Sequence, residues 1–270
     1  MEWAASDLLS GFTLSLVAGM CTGLGAAIAF VVKKTDTKLL TYALGASAGV
    51  MVYISFMELL PSAKDFLGAG GTCCPKWVLI AAFFGGMLLT GIIDRLIPAD
   101  ENPHEAHDAL ELEGVQGTGQ FAGNANVKRS ATLFALAIAI HNFPEGIATM
   151  ASAFDNSGTA ASVAFAVAIH NIPEGVAVAI PLLCGTGSRK KAFRLATLSG
   201  LSEPVGALIA MLILLPFLSA TLMGVLFAAV AGIMVYIAFD ELLPMAERWG
   251  QHHLSIYGVI SGMLLMAVVL

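Results

Sequence analysis

The chain has little charge. Asp, Glu, Lys and Arg make up 12% of its 270 residues, against 57% hydrophobic, where soluble domains carry about 25% charged and 45–50% apolar residues. That deficit excludes a soluble enzyme, a DNA binder and a secreted module, because too few polar side chains remain to cover a surface facing water. Cysteine is also scarce, with four residues. Cys21, Cys184 and the adjacent Cys73-Cys74 match no recognised metal-binding spacing, and structural or incidental roles are expected for them. No P-loop pattern occurs, which leaves nucleotide-driven transport without its phosphate cradle, and no H-E-x-x-H pattern supplies a zincin site. The opening MEWAASDLLSGF lacks a basic n-region and carries Glu2 and Asp7, so it does not read as a cleaved signal peptide.

Long apolar runs are abundant. A spanning helix takes about 20 residues, and the runs predict eight, near 8–32, 39–60, 77–97, 130–151, 159–183, 195–217, 219–243 and 254–270. The expected fold is all-α, a polytopic membrane protein forming one transmembrane domain over 1–270. Its one long polar stretch, 98–128, between the third and fourth spans, reads as a mobile loop. With eight spans, Lys33, Lys34, Lys38, Arg95, Lys128, Arg129, Arg189, Lys190, Lys191, Arg194 and Arg248 fall on one side, and only Lys64 and Lys76 on the other. Loops rich in Lys and Arg stay cytoplasmic, which places both termini outside and the 98–128 loop in the cytoplasm.

Two repeats are visible. GVMVYISFMELLP at 49–61 returns as GIMVYIAFDELLP at 232–244, in the second and seventh spans, and HNFPEG at 141–146 returns as HNIPEG at 170–175, in the fourth and fifth. Each pair lies on helices predicted to run in opposite directions. Inverted repeats with helix breakers at mid-membrane are typical of secondary transporters. Small residues such as Gly19, Gly23, Gly45, Gly49, Gly85 and Gly86 are expected to let helices approach closely.

His141, Asn142 and Glu145, and again His170, Asn171 and Glu174, sit about eleven residues into their spans. An acidic residue at a helix centre costs roughly 2.5–3.5 kcal/mol to insert, so these groups must face inward and share a partner. His and Glu four residues apart lie on one helix face, so two such pairs on antiparallel neighbours can converge on one point. Pro144 and Pro173 remove backbone donors beside them. Imidazole with carboxylate suits Zn2+, Fe2+, Mn2+ or Co2+, whereas Mg2+ and Ca2+ prefer all-oxygen sites. Glu203, followed by Pro204, is a further intramembrane carboxylate able to join from the sixth span. Glu58, near the outer end of the second span, and Asp240 and Glu241, near the cytoplasmic end of the seventh, are candidate entrance or exit groups. In the polar loop, His104 and His107 with Glu105 and Asp108 are candidate weak metal ligands.

At the paired H-N-x-P-E-G motifs the chain resembles the ZIP family of metal permeases, most of all its bacterial ZupT-type branch, and the similarity spans nearly all eight helices. The resemblance implies two inverted three-helix repeats, helices 1–3 and 6–8, around helices 4 and 5, enclosing a binuclear metal centre. By motif position it implies His141, Glu145, His170 and Glu174 at one metal, and Asn142, Glu145, Asn171, Glu174 and Glu203 at the other, with Glu145 and Glu174 bridging. The implied activity is import of Zn2+, with Fe2+, Mn2+, Co2+ and Cd2+ as further candidates, through the cell (inner or plasma) membrane. The metals are transported substrates; no organic cofactor is expected. The expected partners are divalent metal ions and membrane lipids, not nucleic acid, with a homodimer as the candidate assembly. A membrane metalloenzyme and a metal exporter are the rival readings; di-metal carboxylate proteins also place Glu and His on facing helices.

Overall fold

The computed structural model describes residues 5–31, 37–96, 139, 142–150, 152–153, 159–214, 217, 219–247 and 250–270. Among them every regular element is helical, as an apolar chain in lipid requires, since a helix satisfies its own backbone polar groups. We number the helices α1 (Ala5–Ala26), α2 (Thr37–Ala69), α3 (Pro75–Leu96), α4 (described over 142–150), α5 (Thr159–Thr186), α6 (Arg189–Gly200, then Ser202–Ile209), α7 (Ala220–Glu247) and α8 (His252–Val269). Six, namely α1, α2, α3, α6, α7 and α8, are long and apolar enough to cross a membrane. The chain is a multi-pass membrane protein. On α3, Phe84, Leu88 and Ile92 are all more than half exposed, a stripe suited to lipid and not to water.

Three expectations change. First, α2 and α7 overrun the predicted 39–60 and 219–243: α2 has 33 residues and α7 has 28. Their prolines, Pro61 and Pro244, were natural helix stops, yet both helices pass through them by widening into a π turn, Ser55–Leu59 in α2 and Ala238–Leu242 in α7. Leu60 N–H bonds the Ser55 carbonyl and Leu243 N–H that of Ala238, each reaching back five residues. The widened turn relieves the clash a proline ring makes with an α-helical carbonyl. Second, Glu58, Asp240 and Glu241 consequently lie inside continuous helices and not at helix ends. Third, Arg189, Lys190, Lys191 and Arg194, expected in a loop, form the first turns of α6, whose N-cap Ser188 accepts from Lys191 N–H at 3.4 Å. The 98–128 loop, with His104 and His107, lies outside the described residues.

Helix packing runs through glycines, and several of the close approaches in one half of the chain are answered in the other. A Cβ on Gly49 of α2 would overlap the Val259 carbonyl of α8, and one on Gly262 the Ala46 carbonyl; in the same way, Gly232 of α7 is pressed on the Phe83 carbonyl of α3, and Gly86 on that of Ala229. The π turn of α2 packs on α7, and that of α7 on α2. Between these helices lies an apolar core that includes the repeat-related Met51 and Met234, both buried. Gly85, by contrast, faces open space.

Candidate metal centre

Two motif glycines set how close the site's helices come. A Cβ on Gly175 of α5 would strike the Thr22 carbonyl of α1, and one on Gly146 of α4 the Glu203 carbonyl of α6. In return Gly25 is pressed on the Ile172 carbonyl, and Gly206 on that of Phe143. The N-x-P-E-G residues of both motifs, 142–146 and 171–175, are thereby clamped, backbone to backbone, between α1 and α6. Side chains just before each glycine must then point into a dry interior. Asn142, His170, Asn171, Glu174 and Glu203 are fully buried, and Glu145 is 1% exposed.

One ligand atom from each of Glu145, His170 and Glu174 lies within 4.8 Å of the others. His170 Nε2 is 3.1 Å from both Glu145 oxygens. Two ligands of a tetrahedral Zn2+, bonded at about 2.1 Å, stand about 3.4 Å apart. These groups could therefore take a cation between them with only a small side-chain adjustment. His170 and Glu174 come from one face of α5, the i, i+4 relation read from the sequence, while Glu145 crosses from α4.

Beside this trio, Asn171 Nδ2 donates to the Ala18 carbonyl of α1 at 2.8 Å and to Glu203 Oε2 at 2.7 Å. Two acceptors on that side fix the amide with its nitrogen toward them. Asn171 Oδ1 and Glu203 Oε1 are buried and accept no hydrogen bond. Buried oxygens left in that state are costly unless something fills their coordination. Three buried carboxylates, Glu145, Glu174 and Glu203, thus share one pocket, and like charges out of water need countercharge there. A divalent cation bound there would supply it.

His141 lies outside the described residues. Of the other predicted groups, Asn142 is buried with the site, Glu58 is half-buried, Asp240 is exposed and Glu241 is 7% exposed. Sequence reasoning missed the anchoring Ala18 carbonyl, because a backbone acceptor carries no residue signature. It also missed the two π turns, although a proline following the repeated E-L-L was a visible cue.

Comparison with known proteins follows the same lines. The family model described as ZIP Zinc transporter matches residues 97–270. The chain is 58% identical over 271 residues to "Zinc transporter ZupT" of Akkermansia muciniphila, covering 100% of both. It is 51% identical to the protein of the same name in Oceanobacillus iheyensis, with 97% of each chain covered. With that of Clostridium perfringens the identity is 46%, over 97% of this chain and 95% of the relative.

Proposed function

The chain belongs to the ZIP family of zinc transporters, which are transporters and not enzymes, and from that premise we propose that it imports Zn2+ into the cytoplasm. The observation that carries the proposal is the buried meeting of Glu145, His170 and Glu174 beside the Asn171–Glu203 pair, inside a membrane bundle. The names of the relatives supply the metal. Fe2+, Mn2+, Co2+ and Cd2+ suit the same mixed nitrogen and oxygen donors.

In this reading the centre is binuclear. His141, Glu145, His170 and Glu174 hold one ion; Asn142, Glu145, Asn171, Glu174 and Glu203 hold the second; Glu145 and Glu174 bridge, as carboxylates do between cations about 3.5–4 Å apart. The open Asn171 Oδ1 and Glu203 Oε1 support the second position. A hydrated cation enters from outside and exchanges water for these donors, which hold it in their deprotonated forms. It leaves inward when one helix group moves against the other. The membrane potential favours this direction by about 2.3 kcal/mol per elementary charge per 100 mV.

The architecture we propose is eight spans, α1–α3 and α6–α8 forming inverted repeats around α4 and α5, as one domain over 1–270, with both termini outside and 98–128 in the cytoplasm. Its support is the set of answering glycine contacts and the matching π turns of α2 and α7. Glu58, Asp240 and Glu241 serve the mouths of the pathway, and His104 and His107 collect metal in the loop.

Radioactive zinc uptake into liposomes holding the purified full chain tests the function, with and without a pH gradient. Zinc entry lost in His141→Ala/His170→Ala is the expected result. Stoichiometric zinc binding without entry would turn the reading toward a sensor.

A further inference from the structure

Outside the membrane core, the turn joining α2 to α3 brings two sulfurs together. Cys73 and Cys74 are both exposed free thiols, and their Sγ atoms lie 3.8 Å apart. Neighbouring side chains on an extended strand point to opposite faces, and on a helix they diverge, so adjacency alone does not give this distance. The backbone does. Cys74 has φ of 60°, the only positive value at a non-glycine among the described residues. A residue other than Gly, Asn or Asp seldom adopts that conformation, and such strain persists where the surroundings impose it.

The surroundings are visible. Pro75 disfavours right-handed helical backbone at the residue before it. The Cys74 carbonyl accepts from Trp77 N–H at 3.0 Å and Val78 N–H at 3.3 Å, fixing it as the start of α3. Upstream, Thr72 N–H bonds the Leu67 carbonyl at 3.3 Å, and Thr72 Oγ1 meets Thr221 Oγ1 of α7 at 3.1 Å. A Cβ on Gly70 would press on that same threonine. Both ends of the turn are therefore anchored, and its backbone sets the two thiols side by side in advance of any ligand.

Two thiolates on a tetrahedral d10 cation, each bonded at about 2.3 Å, stand about 3.8 Å apart. The observed separation matches that spacing, while a disulfide needs about 2.05 Å. We propose that Cys73 and Cys74 form a surface two-thiolate site for a thiophilic divalent cation such as Zn2+ or Cd2+, with water completing the coordination. Binding releases two thiol protons as two metal–sulfur bonds form, and no oxidant enters. With two protein ligands and open access, the site exchanges its ion rapidly. It is separate from the buried centre, whose described ligands are nitrogen and oxygen.

The test is a Cd2+ titration of the full chain in detergent under reducing conditions, read by the ultraviolet thiolate-to-cadmium charge-transfer band. Cadmium on His and Glu gives no such band, so the buried centre is silent. We expect the band to saturate at one cadmium per chain, to vanish in Cys73→Ser/Cys74→Ser, and to persist in Cys21→Ser/Cys184→Ser. Zn2+ at ten times its midpoint concentration should slow alkylation of the pair about tenfold. Absence of the band in the wild type, or its survival in Cys73→Ser/Cys74→Ser, overturns the proposal. So does recovery of the pair as a disulfide from intact cells, since the sulfurs would then hold each other.

Discussion

Helices α1 and α6 meet the paired motifs through the same frame and with different chemistry. α1 carries G-M-C-T-G-L-G from Gly19 to Gly25, and α6 carries G-L-S-E-P-V-G from Gly200 to Gly206. Gly19 and Gly200 press on each other's carbonyls, while Gly25 and Gly206 press on α5 and α4. All five positions between the outer glycines differ, and at the one that carries charge Thr22 stands where Glu203 does. Glu203 accepts from Asn171; the Thr22 hydroxyl is buried with no hydrogen-bond partner. Backbone contact is thus repeated while charge is not. Close packing needs only small residues at set places, so both halves keep it. A carboxylate in the membrane needs a polar partner, which Asn171 gives Glu203, and one such group per pair suffices to make the pocket lopsided.

The largest effect should come from removing a group that the frame exists to hold. Glu145→Ala or His141→Ala is expected to abolish zinc uptake while leaving the protein inserted at normal abundance, measured by liposome flux beside a membrane-fraction blot. Wild-type flux in either variant would sink the site assignment. Breaking the frame itself comes next. Gly175→Val forces a branched side chain into the Thr22 carbonyl, where only backbone could yield, and overpacking costs about 1–3 kcal/mol or more. The thermal midpoint of the detergent-purified chain should fall clearly, and Gly146→Val should match it; an unchanged midpoint would show the clamp to be dispensable.

Much of this arrangement was legible in the sequence. Apolar run length marked where membrane helices lie, and the i, i+4 spacing of His170 and Glu174 put them on one face before any coordinates. What escaped had no residue signature. The Ala18 carbonyl that anchors Asn171 is backbone, and an alanine advertises nothing. The overrun of α2 and α7 escaped because the spans were read from the length of apolar runs, while the π turn that carries each helix past its proline depends on packing against the opposite helix. The start of α6 escaped because three basic residues oppose the helix dipole; the Ser188 cap holds the helix open there nonetheless.

Glu203→Gln keeps the shape and deletes the charge. A hydrogen bond to a charged group contributes about 1.5–3 kcal/mol, or roughly 10–100-fold in affinity. Zinc binding by calorimetry should weaken by that order, with the trio of Glu145, His170 and Glu174 still retaining one ion; an undiminished stoichiometry and affinity would remove Glu203 from the centre. The π turns offer a milder contrast. Glu241 is 7% exposed and Glu58 half-buried at the matching place. Glu241→Gln should slow uptake several-fold and Glu58→Gln less than about twofold, because a charge that water already screens does less to draw a cation. Equal effects would argue that both acids line mouths of the same kind.

The smallest effect tests the lopsidedness directly. Thr22 occupies the frame position of Glu203, and if the metal pathway used both halves alike its hydroxyl would be needed. Its oxygen is buried with no hydrogen-bond partner, a state that costs about 1–3 kcal/mol. Thr22→Val keeps the branched shape and removes that oxygen. Uptake should stay within about twofold, and the thermal midpoint should hold or rise, by about 2–4 °C for each kcal/mol regained. A loss of flux comparable to that of Glu203→Gln would mean that the cation passes the hydroxyl on its way. The two halves would then share the chemistry as well as the frame.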